Sequence, residues 1–197
     1  MKFSGIEIQH LLKAWGALSI AFAIAFGGLN LAAFPFALVF SAITVGIGFV
    51  FHELSHKFFA QKYNCWAEFR ADNKMLFMTI LISFTGFIFA APGGVFIQGR
   101  HLTPKQNGVV SLAGPAMNIV ASTLFFILGS FSYEIAWLNL LADYGYRINA
   151  WLALFNLLPF GPLDGTKVLA WNKWVYGVAI GVSAILLFLG SIFTSSF

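Results

Sequence analysis

The chain has 197 residues, 59% of them hydrophobic and only 9% charged, with a mean hydropathy of +0.84. Soluble domains are nearer a quarter charged, so the composition excludes one and points to an integral membrane protein, a single compact helical bundle without length for a sizeable second domain. The lone Cys65 excludes an internal disulfide and a cysteine-rich zinc site, and the net charge of +4 reads as basic residues flanking membrane spans, not as a nucleic-acid surface.

No short apolar run is followed by a small-residue cleavage site, so no removable signal peptide is expected. A crossing takes about 20 apolar residues at about 1.5 Å each. In chain order, the pattern predicts spans over about Ile8–Leu31 and Phe36–Ala60, joined by an uncharged turn around Gly27, Gly28 and Pro35. Met75–Ile97 is long enough to cross, but Gly86 and Ala91-Pro92-Gly93-Gly94 interrupt it. Lys57, Lys62, Arg70 and Lys74 precede it, and Arg100 and Lys105 follow. With both clusters cytoplasmic it makes no net crossing, so it reads as re-entrant or interfacial. Spans are then expected over about Val109–Phe131, Ile148–Ala170 and Val175–Phe193, with Glu134, Asp143 and Arg147 in an outer loop. This alternation places the N-terminus in the cytoplasm, and the absence of organellar signals suits a prokaryotic cell membrane.

Residues 51–59, FHELSHKFF, set titratable groups inside the second span. On a helix, positions i and i+4 share a face, so His52 and His56 can hold one metal ion between them. Glu53 beside them can take a proton from a metal-bound water, which is the H-E-x-x-H zinc hydrolase pattern. A chance match is disfavoured here, because each charge near a bilayer centre costs about 2.5–3.5 kcal/mol on insertion scales. Bound zinc brings the pKa of its water to about 7.

A catalytic zinc needs a third protein ligand. The extended pattern with a later glycine and histidine is excluded, because Phe59 and Lys62 hold those places. His10 and His101 lie near expected interfaces. Glu7, Glu68, Asp72, Glu134 and Asp143 fall in loops or at span ends, which leaves Asp164, in the inner part of a span. His52 is 16 residues in from Phe36, and Asp164 is 16 in from Ile148. At about 1.5 Å per residue, both lie about 24 Å from the outer face. His52, His56 and Asp164 are therefore the expected zinc ligands, one ion per chain.

Three motifs in order, HELSH (52–56), AGPAMN (113–118) and NLLPFGPLDG (156–165), resemble those of the site-2 proteases, a family of intramembrane zinc metalloproteases. The resemblance covers the central spans, about two-thirds of the chain. It implies zinc held by His52, His56 and Asp164, with Glu53 as general base, and hydrolysis of peptide bonds within or near transmembrane segments. It gives Asn156 a supporting role at the substrate backbone or oxyanion, and Gly114, Pro115 and Asn118 a packing role beside the site. Pro92, Gly93, Gly94 and Val95 resemble the family's membrane-associated strand, which offers an edge to an unwound substrate. The fold class that follows is an all-α integral membrane protein, a bundle of five to six transmembrane helices with a re-entrant or short β segment near the active site. It forms one membrane-embedded domain over 1–197, with core spans over about 36–170. Unlike relatives with a PDZ or CBS domain, this chain has room for neither. The implied partners are a transmembrane protein substrate and membrane lipid, with no nucleic acid.

Two rival classes fit parts of the pattern. A metal-ion transporter of the zinc-iron permease kind would have proline and glutamate where Ser55 and Lys57 stand, and a second set of membrane histidines. A non-catalytic binder of membrane segments would not need Glu53. Gly46 and Gly48, just outward of HELSH, suit close helix approach.

Overall fold

The computed structural model describes residues 1–28, 30–99, 101–132 and 134–193; Leu29 in the first turn and Arg100 among the flanking basic residues lie outside them. Ser4 caps helix α1 (Gly5–Gly27), its hydroxyl accepting the Glu7 amide at 3.1 Å. Pro35 stands in the first turn of α2 (Phe34–Val45), where its missing N–H costs nothing. A π-helical turn, Gly46–Val50, then leads without a break into α3 (Phe51–Lys62). Strand β1 (Trp66–Ala71), helix α4 (Asn73–Ser83) and strand β2 (Gly93–Gln98) precede α5 (Pro104–Phe131), which opens on a reciprocal Thr103–Gln106 capping box. Helices α6 (Ala136–Asn156), α7 (Asp164–Trp171) and α8 (Lys173–Phe193) follow.

Among the described residues, α1, the continuous Phe34–Lys62 rod and α5 are long and apolar enough to cross a membrane. Helix α6 differs from expectation at both ends. It starts at Ala136, so Asp143 and Arg147 lie inside it rather than in a loop, joined one turn apart by a 2.8 Å ion pair. Pairing lowers the cost of carrying both charges in a helix. The expected span Ile148–Ala170 is two helices, because Pro159 and Pro162 supply no amide donors between Asn156 and Asp164. Met75–Ile97 is likewise not one helix. The 11 residues of α4 reach about 16 Å, half the hydrocarbon thickness, before the chain becomes extended and enters β2.

The two strands run antiparallel, Phe69 opposite Val95 and Ala71 opposite Gly93. The Phe69 and Ala71 amides turn away from β2 and donate to Glu7 Oε1 and His10 Nδ1, each at 3.1 Å. Side chains of α1 thus close the outer edge of β1. Antiparallel pairing then turns the backbone groups of Gly93, Val95 and Ile97 away from β1 as well, toward the other side of the sheet. Among the described residues no third strand covers that edge.

The interior joins α1, the π turn, β1 and α6 through Leu18, Phe22, Phe49, Phe69, Leu152 and Phe155. Lipid gives apolar helices little reason to associate, so polar contacts fix the joints: Trp15 Nε1 donates to the Ala42 carbonyl at 2.8 Å, and Ser122 Oγ to that of Tyr146 at 3.1 Å. Large apolar side chains such as Phe36, Phe77, Leu124 and Phe188 are exposed around the outside.

Glu7 is not the interfacial acid expected from its position. It is fully buried, and Oε2 receives Lys57 Nζ at 2.5 Å; Lys57, 1% exposed, also donates to the Lys2 carbonyl. The pair ties the start of α1 to the helix that carries the histidines. Removing one partner leaves a buried charge uncompensated. Lys57→Met should therefore destabilise the fold by about 3–5 kcal/mol, read as a lower melting temperature in detergent, and the Glu7→Gln/Lys57→Met double variant should recover most of the loss.

Candidate metal centre and active site

His52 and His56 project from one face of α3, and Asp164 opens α7 after the proline-broken segment that returns the chain to the centre of the bundle. Their ligating atoms all lie within 4.8 Å of one another. His52 Nε2 and His56 Nε2 are 2.9 Å apart, and Asp164 Oδ2 is 3.4 Å from the first and 3.1 Å from the second. All three side chains are buried or nearly so.

Hydrogen bonds behind the rings decide what these atoms can do. His52 Nδ1 lies 2.5 Å from Asn118 Oδ1, and His56 Nδ1 lies 2.7 Å from the Val110 carbonyl. Both partners are acceptors, so each Nδ1 carries the proton and each Nε2 presents a lone pair. Two lone pairs and a carboxylate oxygen in buried contact repel one another unless a cation stands among them. The donor set, two imidazole nitrogens and one carboxylate oxygen, is that of a catalytic zinc. Donors around a tetrahedral zinc at about 2.0–2.1 Å are about 3.3 Å apart, which matches the observed separations. The residues therefore fit zinc.

Glu53 follows His52 on the same helix. Its Oε2 is buried and takes no hydrogen bond from the protein. Glu53, the two histidines and Asp164 line a cavity of about 920 Å³, together with Asn156, Gly93, Gly94 and Val95. Asn156 ends α6 with Nδ2 bonded to the Leu152 carbonyl at 2.9 Å. Gly93 has φ +146, and a Cβ there would run into the Arg70 backbone, so glycine is required where the chain enters β2. Of the residues expected from the sequence, Gly114, Pro115 and Asn118 are not among those lining the cavity, and Asn118 stands behind His52.

Gly114 has a more direct part than packing. A Cβ at this position would lie 2.6 Å from His52 Nε2 and meet His56 Nε2 as well. Gly46 and Gly48 serve close approach: Trp15 packs against the first and Asn149 against the second. His10 and His101 stay away from the centre, His10 as the cap of β1. Residues not singled out from the sequence also belong here. Lys167, one turn beyond Asp164, lines the cavity, and Asn149 stands behind Asn118. Asn149 and Asn156 are seven residues apart, two amides on one face of an apolar helix, and that spacing was the available signal.

A buried site with two histidines, an aspartate and a glutamate whose Oε2 takes no hydrogen bond from the protein, lining a cavity among apolar helices, fits a membrane zinc hydrolase. The sequence model for Peptidase family M50 matches residues 40–141, just over half of the chain. A protein of Methanocaldococcus jannaschii named "Putative zinc metalloprotease MJ0611" is 39% identical over 184 residues, 90% of each chain. A Bacillus subtilis protein named "Putative zinc metalloprotease YwhC" is 30% identical over 157 residues, covering 69% of this chain and 70% of that one. No solved structure matches at a significant level. The chain belongs to peptidase family M50, the site-2 proteases, and is an intramembrane zinc metalloprotease. Because the space beside Gly114 is filled by the ligand rings, Gly114→Ala should force them apart and lower the zinc content of purified protein well below that of the wild type, measured by metal analysis at equal protein concentration.

Proposed function

We propose that His52, His56 and Asp164 hold the zinc, that Glu53 is the general base, and that the substrate is a transmembrane segment captured as an extended strand along β2. The observation that carries this reading is one shared cavity, lined both by the three ligand candidates with Glu53 and by Gly93, Gly94, Val95, Phe96 and Ile97 of β2. Zinc, when bound, acidifies water and polarises a carbonyl as a Lewis acid. Glu53 Oε2, buried and without a hydrogen bond of its own, accepts the proton of the attacking water and passes it to the leaving amine. Asn156 holds the substrate carbonyl from the broken end of α6.

A substrate helix in lipid has all its backbone groups internally bonded, so cleavage requires unwinding and new partners. The outward backbone groups of Gly93, Val95 and Ile97 are such partners, and strand addition holds a peptide with little regard for its side chains. Five to six crossings with a cytoplasmic N-terminus, α4 reaching only part-way into the bilayer, suit one membrane-embedded domain in which β2 and the histidines line the same cavity.

Cleavage of a model single-span substrate in detergent or liposomes, with zinc measured alongside, tests the assignments. Asp164→Ala should lose both metal and activity. Glu53→Gln should keep the metal and the fold while cleavage falls about 10²–10⁴-fold; undiminished turnover would remove Glu53 from the mechanism.

The pairing register separates two proline variants. Val95 presents its N–H to the open edge, whereas Phe96 stands opposite Glu68 in the bonded register of the ladder. Val95→Pro should weaken cleavage of membrane substrates with β1, β2 and zinc content intact. Phe96→Pro should also disrupt the sheet, seen as faster amide exchange in β1. Normal cleavage by Val95→Pro would place capture elsewhere.

A further inference from the structure

Asn149 has no part in the chemistry proposed above, yet it is wholly buried on α6 at a point where three helices meet. Its Nδ2 donates to the Gly145 carbonyl, one turn back, at 2.8 Å. That bond leaves Oδ1 facing α5, where Asn118 Nδ2 donates to it at 3.1 Å. Asn118 gives its other amide proton to the Gly48 carbonyl at 3.0 Å, inside the π turn. With both protons committed, Asn118 can offer only Oδ1 to His52 Nδ1, 2.5 Å away. The network thereby fixes which end of each amide is oxygen.

The space for this chain of contacts is built in: a Cβ on Gly48 would lie 2.6 Å from Asn149 Oδ1. Each link has one polarity. A main-chain carbonyl at Gly145 sets Asn149, Asn149 sets Asn118, and Asn118 puts the His52 proton on Nδ1. The lone pair of His52 is then on Nε2, facing His56 and Asp164.

We propose that Asn149 is a positioning residue for the metal site, selecting the metal-binding tautomer of His52 through Asn118. The inference rests on His52 being a zinc ligand. Without the Asn149 oxygen, Asn118 keeps Gly48 as the one anchor for its amide protons. Its reversed orientation, with Nδ2 toward His52, then competes and moves the imidazole proton onto Nε2, where zinc would have to bind.

The test uses full-length purified protein and the metals alone. Zinc affinity is measured by competition with a chromogenic chelator, and ligand geometry by the visible absorption of the cobalt-substituted protein. Asn149→Leu and Asn149→Ala both remove the acceptor but differ in volume, so one informs if the other fails to accumulate. Both should bind zinc about 10-fold or more weakly, at least the lower end for an outer-shell partner, with an altered cobalt spectrum. Asn149→Asp should restore affinity and spectrum, because a neutral carboxyl can donate to Gly145 and accept from Asn118. Wild-type affinity and spectrum in Asn149→Leu and Asn149→Ala, with His52→Ala losing zinc, would overturn the positioning role. A fall in affinity that Asn149→Asp does not restore would reduce Asn149 to packing and overturn it too. Wild-type affinity in His52→Ala would instead overturn the assignment of His52 as a ligand, and the relay with it.

Discussion

Mutual repulsion among His52 Nε2, His56 Nε2 and Asp164 Oδ2 is the constraint around which this structure is arranged. These acceptors stand 2.9–3.4 Å apart in a buried place, an arrangement that a cation shared among them makes favourable. The surroundings position the three groups. The Val110 carbonyl orients one ring, Asn118 orients the other, and Gly114 leaves the gap in which they meet. Because the proposed ligands come from α3 and α7, more than 100 residues apart in sequence, a metal held by them would also link the two ends of the core.

The small sheet shows a second kind of control, exercised through asymmetry. A two-stranded sheet has two edges, and in a membrane each open edge is a cost. Here one edge is satisfied by Glu7 and His10 from α1, and the other faces the cavity. The buried Lys57 partner of Glu7 sits next to His56 in sequence, so the closure of β1 and the placement of the histidine-bearing helix share one ion pair.

The candidate site was legible in the sequence because charge is rare in this chain. HELSH stood out against an apolar span, and Asp164 followed from so short a roster of acids. What escaped was decided by distant partners. Trp66–Ala71 carries Glu68 and Arg70 and reads as a polar flank, yet it is a strand whose register is set by residues 93–98 and whose edge is closed by α1. Glu7 looked interfacial because Lys57, 50 positions away, is what makes its burial possible. Asp143 and Arg147 signalled a loop when taken singly, but as a pair they lie within a helix. Asn149 is an ordinary polar residue until Asn118 and Gly48 are brought against it.

The π turn at Gly46–Val50 also bears on which length changes this helix can tolerate. Such a turn is an α-helix with one residue too many, and each residue of an α-helix turns the rod by about 100°. A single-residue deletion there would leave an ordinary α-helical turn, and because the wider turn already absorbs the extra residue, everything outward of it would keep nearly its present phase relative to the histidines. Trp15 would still meet its carbonyl at Ala42, and the loss would fall on the turn itself, where Asn118 meets the carbonyl of Gly48. One residue can therefore be lost at this turn without rotating the two halves of the rod against each other, and what the extra residue supplies is local: a carbonyl turned toward Asn118.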